Sequence, residues 1–163
     1  MAHPHKNAVA KMDASSLVGV IEESKMTYVR ENLSIFLHER QIKLLKQVKK
    51  HEKPHHKRIR IKQFEKAKKD GLFNMHLDLY LKKYQKLEKI GLIEIDLSPG
   101  NGLEYDCSLT EKGLGILDEI SALEKDWENV VGITDEDREV LKNLALNSFE
   151  ISYRHKKKQG FIF

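Results

Sequence analysis

Apolar residues recur along this chain with two different periods, and the change of period marks where one kind of element gives way to another. From Ala14 to Asn32, Leu17, Val20, Ile21, Met26 and Val29 return every three or four positions, which predicts an amphipathic helix with Ser15 or Ser16 as its N-cap. A second helix is predicted from about Leu33 to Lys50, with Leu37, Ile42, Leu45 and Val48 on one side and Arg40, Lys43, Lys46 and Lys49 largely on the other. Pro54 cannot continue that helix and biases Lys53 towards extended backbone. Arg58 to Ile61 alternates basic and β-branched residues, as a short strand would. Lys62 to Lys69 then reads as a brief helix with Phe64 and Ala67 inward, closed by the turn Asp70-Gly71. Beyond Asn74, a candidate cap, Leu77, Tyr80, Leu81, Tyr84 and Leu87 again fall at helical spacing and stop at Ile90-Gly91.

The period then drops to two. Ile93, Ile95 and Leu97 alternate with Glu94 and Asp96, and Leu103, Tyr105 and Cys107 alternate with Glu104 and Asp106, so two half-buried strands are expected. The intervening Ser98-Pro99-Gly100-Asn101-Gly102 is rich in turn formers and joins them as a hairpin. Thr110 is placed to cap a helix carrying Leu114, Leu117, Ile120, Leu123 and Trp127 to about Val131. Thr134 with Asp137 forms a capping-box-like start for a last helix with Val140, Leu141, Leu144, Phe149 and Ile151. Residues 1–13 show no apolar period and are expected to form a flexible arm.

A helix pair followed at once by a β-hairpin is the winged helix-turn-helix, in which the second helix enters the major groove and the hairpin flanks it. The fold class expected is therefore mainly α with a small β-hairpin wing. Its parts are a helix at 14–32, a winged helix-turn-helix region at 33–113 and C-terminal helices at 114–163.

Charge sharpens this picture because the formal net charge of +4 averages two opposed segments. Residues 38–89 hold 17 Lys+Arg against 6 Asp+Glu, whereas residues 90–150 hold 4 against 15. The first segment suits a polyanion, since phosphate contacts with counterion release supply affinity regardless of sequence; a solvated lysine-rich face is the alternative. The chain lacks a run of about 18 apolar residues that would span a membrane, and its N-terminus lacks an apolar export segment, so a cytoplasmic location is expected. The single cysteine, Cys107, excludes an internal disulfide and reads as a small core residue on a strand. No nucleophile elbow, HExxH, P-loop or GxGxxG motif occurs, and an enzyme is not expected.

Two motifs carry a family resemblance. Leu87-Glu88-Lys89-Ile90-Gly91-Leu92-Ile93 and, past the hairpin, Leu109-Thr110-Glu111-Lys112-Gly113 resemble the Leu-Glu-x-x-Gly-Leu-Ile and Leu-Thr-x-x-Gly signposts of MarR-family regulators. In element order the resemblance runs from about Leu17 to Tyr153. It implies a homodimeric, sequence-specific transcriptional regulator of double-stranded DNA, whose first and last helices intertwine with those of a second copy and which responds to a small-molecule effector. By that analogy Leu17, Ile21, Leu141, Leu144 and Phe149 line the dimerisation surfaces.

If Tyr80, Tyr84 and Leu87 pack inward, His76, Leu79, Lys82, Lys83 and Lys86 point outward as candidates for groove contact, with lysines serving phosphates or guanine and Leu79 a thymine methyl. The resemblance places Lys82 where the family usually has a basic contact residue and Leu79 where a small hydroxyl residue is common. Here the hairpin departs from the family, whose wings usually carry an arginine for the minor groove: Gly91 to Thr110 contains no Lys or Arg but does contain Glu94, Asp96, Glu104 and Asp106. Three alternatives follow. Asn101-Gly102 at the tip makes a neutral contact; or the wing stays off the DNA and the basic Lys57, Arg58, Arg60 and Lys62 assist the helix; or DNA binding has been lost and the module binds a protein. His51, His55 and His56 are weak candidates for a zinc or nickel ion, because the sequence supplies no demonstrable fourth ligand; no cofactor is expected.

Overall fold

The computed structural model describes residues 4–51, 73–96 and 106–158, with side chains over 5–50, 81–95 and 107–154. Its elements are α1 (Pro4–Ala10), α2 (Ala14–Asn32), α3 (Glu39–His51), α4 (Phe73–Lys89), strands β1 (Ile93–Asp96) and β2 (Asp106–Leu109), α5 (Glu111–Val131) and α6 (Asp135–Lys158). They fall into two compact units, Met1–Glu124 and Lys125–Phe163, with α5 running through the division. The predicted strand at Arg58–Ile61 and helix at Lys62–Lys69 lie outside the described residues.

Local chemistry explains most boundaries. α2 spans the residues its apolar period predicts, but its cap is Asp13 rather than a serine: the Asp13 carboxylate accepts the Ser16 N–H at 2.8 Å and the Ser15 hydroxyl at 3.0 Å. An ionised acceptor at a helix N-terminus meets the positive end of the helix dipole, which a hydroxyl does not exploit. The arm at 1–13, where no element is expected, contains α1; Pro4 occupies its first position, where the fixed φ of proline suits a helix and its missing N–H costs nothing. α4 begins at Phe73, one residue before the expected cap Asn74, which therefore lies inside its first turn.

The largest correction concerns α3, which starts at Glu39 rather than about Leu33. Leu33 caps the end of α2, donating its N–H to the Val29 carbonyl at 2.9 Å. Ser34 is then held by the Glu119 carboxylate of α5, to which it donates its N–H at 2.5 Å and its hydroxyl at 2.6 Å. Residues 34–38 are thereby pulled off helical geometry, and Leu33 and Leu37 drop into the core. The new start is capped when Gln41 Oε1 reaches back to accept the His38 N–H at 2.9 Å.

One core unites the first unit. Met26 and Val29 of α2, Ile42, Leu45 and Val48 of α3, Tyr84 and Leu87 of α4, Leu92 and Ile93 at the wing base, Cys107 of β2, and Ile116, Leu117 and Ile120 of α5 pack together. On α5 the inward residue is Ile116 and not Leu114, which is exposed; Gly113, Ile116, Leu117 and Ile120 share the buried face at helical spacing. Full burial of each Leu or Ile contributes about 2 kcal/mol, so this cluster dominates cohesion over ion pairs such as Lys25–Glu22 or Glu39–Lys43, which lie at the surface.

The second unit is a helical ending built by two local devices. Gly132, at φ +79°, ends α5 as the Ile133 N–H bonds the Glu128 carbonyl at 3.0 Å. The capping box expected at Thr134 forms reciprocally: the Asp137 N–H donates to Thr134 Oγ1 at 3.1 Å, and the Thr134 N–H donates to Asp137 Oδ2 at 3.0 Å. The described side chains of α6 leave Val140, Leu141, Leu144, Phe149 and Ile151 exposed.

A Cβ built on Gly113 would lie 2.0 Å from the Leu92 carbonyl oxygen, whereas one on Gly115 meets nothing within 4 Å. Gly113→Ala should therefore cost about 3 kcal/mol or more by displacing backbone, and Gly115→Ala should be neutral or stabilising by up to about 1 kcal/mol, as read by denaturant unfolding. The hydrogen bond from the Thr134 N–H holds the Asp137 carboxyl below its ordinary 3.8, as the Ser16 N–H does for Asp13. For a depressed carboxyl the stabilisation is complete above the unfolded value and lost as pH falls through the folded one, so melting temperature should drop with acid below about pH 4. Asp137→Asn should make that drop shallower.

Candidate nucleic-acid interface

α4 sorts its described side chains into two faces. Tyr84 and Leu87 are buried and Leu81 half-buried, while Lys82, Lys83 and Lys86 are exposed. A helix turns about 100° per residue, so fixing Tyr84 and Leu87 in the core turns Lys82 and Lys86 outward and leaves Lys83 on the flank, where it too is exposed. His76 and Leu79 fall within α4, but their side chains lie outside those described; Arg58, Arg60, Lys62 and Asn101 lie outside the described residues altogether. His55 and His56 do too, and His51 ends α3 with its side chain not described. Among the described residues no three His, Cys, Asp or Glu side chains converge as a metal site would require.

The exit of α4 is a Schellman motif. Gly91 adopts φ +79°, its N–H bonds the Glu88 carbonyl at 2.8 Å, and the Leu92 N–H bonds the Leu87 carbonyl at 3.1 Å. Leu87 and Leu92, the apolar pair that accompanies such a motif, are both fully buried. The helix thus ends by turning the chain straight into β1.

The second motif clasps the first. The Thr110 hydroxyl donates to the Gly91 carbonyl at 2.6 Å and accepts the Gly113 N–H at 3.0 Å, while the Thr110 N–H bonds the Leu92 carbonyl at 3.1 Å. One residue therefore ends β2, caps α5 and holds the α4 exit. Lys112 adds its ammonium to the Ile90 carbonyl at 2.9 Å, placing a cation on the negative end of α4. Gly113 lets α5 pass against the Leu92 carbonyl with no side chain between.

β1 and β2 pair antiparallel, Ile93 with Leu109, Glu94 with Ser108, Ile95 with Cys107 and Asp96 with Asp106. Ile93 and Cys107 are buried on the core face and Glu94 is exposed. The register also sets positions 96 and 106, both Asp, opposite each other along the backbone. A further carboxylate, Glu88 at the end of α4, accepts the Ile95 N–H at 2.8 Å.

Glu88, Lys112 and the Thr110–Gly91 bond are site features that periodicity did not single out. All belong to the two motifs, so the signal was their spacing, whereas the partners lie 7, 22 and 19 residues away. The site as described combines an outward lysine face, a fixed helix exit and an acidic ribbon.

No protein-family model matches the chain, and no curated protein sequence does. Among solved structures, the crystal structure of MarR superposes with a TM-score of 0.64 at 22% identity, covering 91% of this chain and 96% of that one. The Staphylococcus aureus MepR–DNA complex superposes with a TM-score of 0.56 at 16% identity, covering 86% of this chain and 98% of that one. The chain has the MarR-type winged-helix fold, mainly helical with a two-stranded wing, over nearly the whole length of the structures it matches.

Proposed function

We propose that this protein is a sequence-specific DNA-binding transcriptional regulator that acts in the cytoplasm as a homodimer, with α4 in the major groove. The observation that carries the reading is the exposed Lys82 and Lys86, with Lys83 on their flank, on a helix whose opposite face, Tyr84 and Leu87, is buried in the core. A rigid basic helix in a winged-helix frame is the arrangement by which such modules present side chains to base edges and phosphates. The fold it shares with MepR, which was solved on DNA, is in keeping with this. No helix among the described residues is long and apolar enough to cross a membrane. The reading assigns the chain no catalytic role, and a small-molecule effector enters it through the fold alone.

Dimerisation rests on apolar side chains exposed in both units. Leu17 and Ile21 of α2, and Leu141, Leu144 and Phe149 of α6, are exposed in the single chain; Phe149 is 66% exposed, unusual for an aromatic without a partner surface. A second copy would cover them.

One observation favours a second reading. The wing supplies no cation between Gly91 and Thr110 and exposes Glu94, so a winged helix that binds a basic protein through this ribbon is the competing function. Duplex DNA separates the two readings. Lys82→Ala with Lys86→Ala should weaken binding and lower the slope of log affinity against log salt by about 1.8, two contacts at about 0.9 each. Fluorescence anisotropy across a salt series reads both quantities, and an unchanged slope would remove α4 from the interface.

A further inference from the structure

The hydrogen bond between Glu88 and Ile95 joins the two parts of the site that carry opposite charge. Because the Thr110 N–H bonds the Leu92 carbonyl, the alternation of an antiparallel ladder makes 94 and 108 the next mutually bonded pair. The Ile95 N–H therefore faces away from β2, on the edge of β1 that no strand pairs with among the described residues. Such an edge donor is ordinarily left to water. Here it meets a carboxylate oxygen at 2.8 Å, and the carboxylate belongs to the last full turn of the lysine-bearing helix. The bond lies near the end of β1 remote from the Thr110 clasp, so the wing is held at two separated points.

Resting on the reading of α4 as the DNA-contacting helix, we infer that Glu88 is a positioning residue. It fixes the angle of β1 relative to α4, so that the exposed Glu94 is kept from swinging towards the phosphates that Lys82, Lys83 and Lys86 approach. The wing needs this restraint because its charge has the wrong sign for the surface beside it; like charges brought together across an interface disfavour binding strongly. Glu88 thus favours DNA binding although it is itself an anion.

The test uses the full chain with Glu88→Gln, which keeps an acceptor oxygen but removes the charge, and Glu88→Ala, which removes both. Glu88 is exposed, so both variants should fold, as checked by thermal melting. Amide exchange at Ile95 should be about tenfold faster in Glu88→Ala than in wild type and near wild type in Glu88→Gln. Equal exchange in Glu88→Ala and wild type would overturn the tether. On duplex DNA, Glu88→Ala should bind about fivefold more weakly than Glu88→Gln, a comparison in which the lost charge cancels. Adding Glu94→Gln, Asp96→Asn and Asp106→Asn should close that gap; a gap of the same size with the neutral wing would overturn the positioning role. If wild type binds no duplex, the DNA reading and the positioning role both fall, while Ile95 exchange still decides the tether.

Discussion

The arrangement of this winged helix depends on one close approach, that of Gly113 to the carbonyl of Leu92. At the start of α5 the helix backbone passes so near the chain leaving α4 that a single methyl group would collide at 2.0 Å. That proximity lets Thr110 serve three elements at once, as strand end, helix cap and donor to the Gly91 carbonyl. The positive φ of Gly91 is the complementary requirement, because only a left-handed residue turns α4 into β1 tightly enough to present that carbonyl. Leu87 and Leu92 seal the joint from water. The α4 exit, the base of the wing and the start of α5 meet at this joint, while burial of Tyr84 and Leu87 leaves the α4 lysines exposed.

Charge then acts on a frame that cannot easily adjust. At physiological salt a surface charge is screened beyond about 8 Å, so the total of +4 matters less to an approaching ligand than which residues face it. The lysines of α4 and the acidic residues of the wing are neighbours in sequence and are joined by the Glu88–Ile95 bond. A polyanion is attracted by one part and repelled by the other. Such a surface favours binding in one orientation over many, a form of selectivity that a uniformly basic face would lack.

The parts of the fold legible in the sequence were those decided by local chemistry. The extent of α2, the Gly91 exit, the alternation of β1, the Thr110 cap and the Thr134–Asp137 box all depend on residues within a turn or a strand of one another, whereas β2 lies at Asp106–Leu109, with the expected Leu103 and Tyr105 outside the described residues. Contacts between distant segments were not legible. The start of α3 shifted because Glu119, 85 residues away, takes both donors of Ser34. On α5, Leu114 and Ile116 are equally apolar, and only the passage of Gly113 against Leu92 settles which of them turns inward. At the candidate site the same division holds: the helical period exposed Lys82, Lys83 and Lys86, whereas nothing local marks Glu88 as the acceptor for a strand amide. The acidic character of the wing was plain from the sequence, and its register now sets Asp96 opposite Asp106.

The central claim is that a rigidly aimed basic helix reads DNA, and selection of bound sites from a pool of random duplexes by the purified protein tests it most directly. A homodimer presenting two copies of α4 predicts enrichment of a pseudo-palindrome whose half-sites lie about 10 base pairs apart or a multiple of that. Recovery of no enriched sequence, at protein concentrations that retain duplex at low salt, would contradict the account.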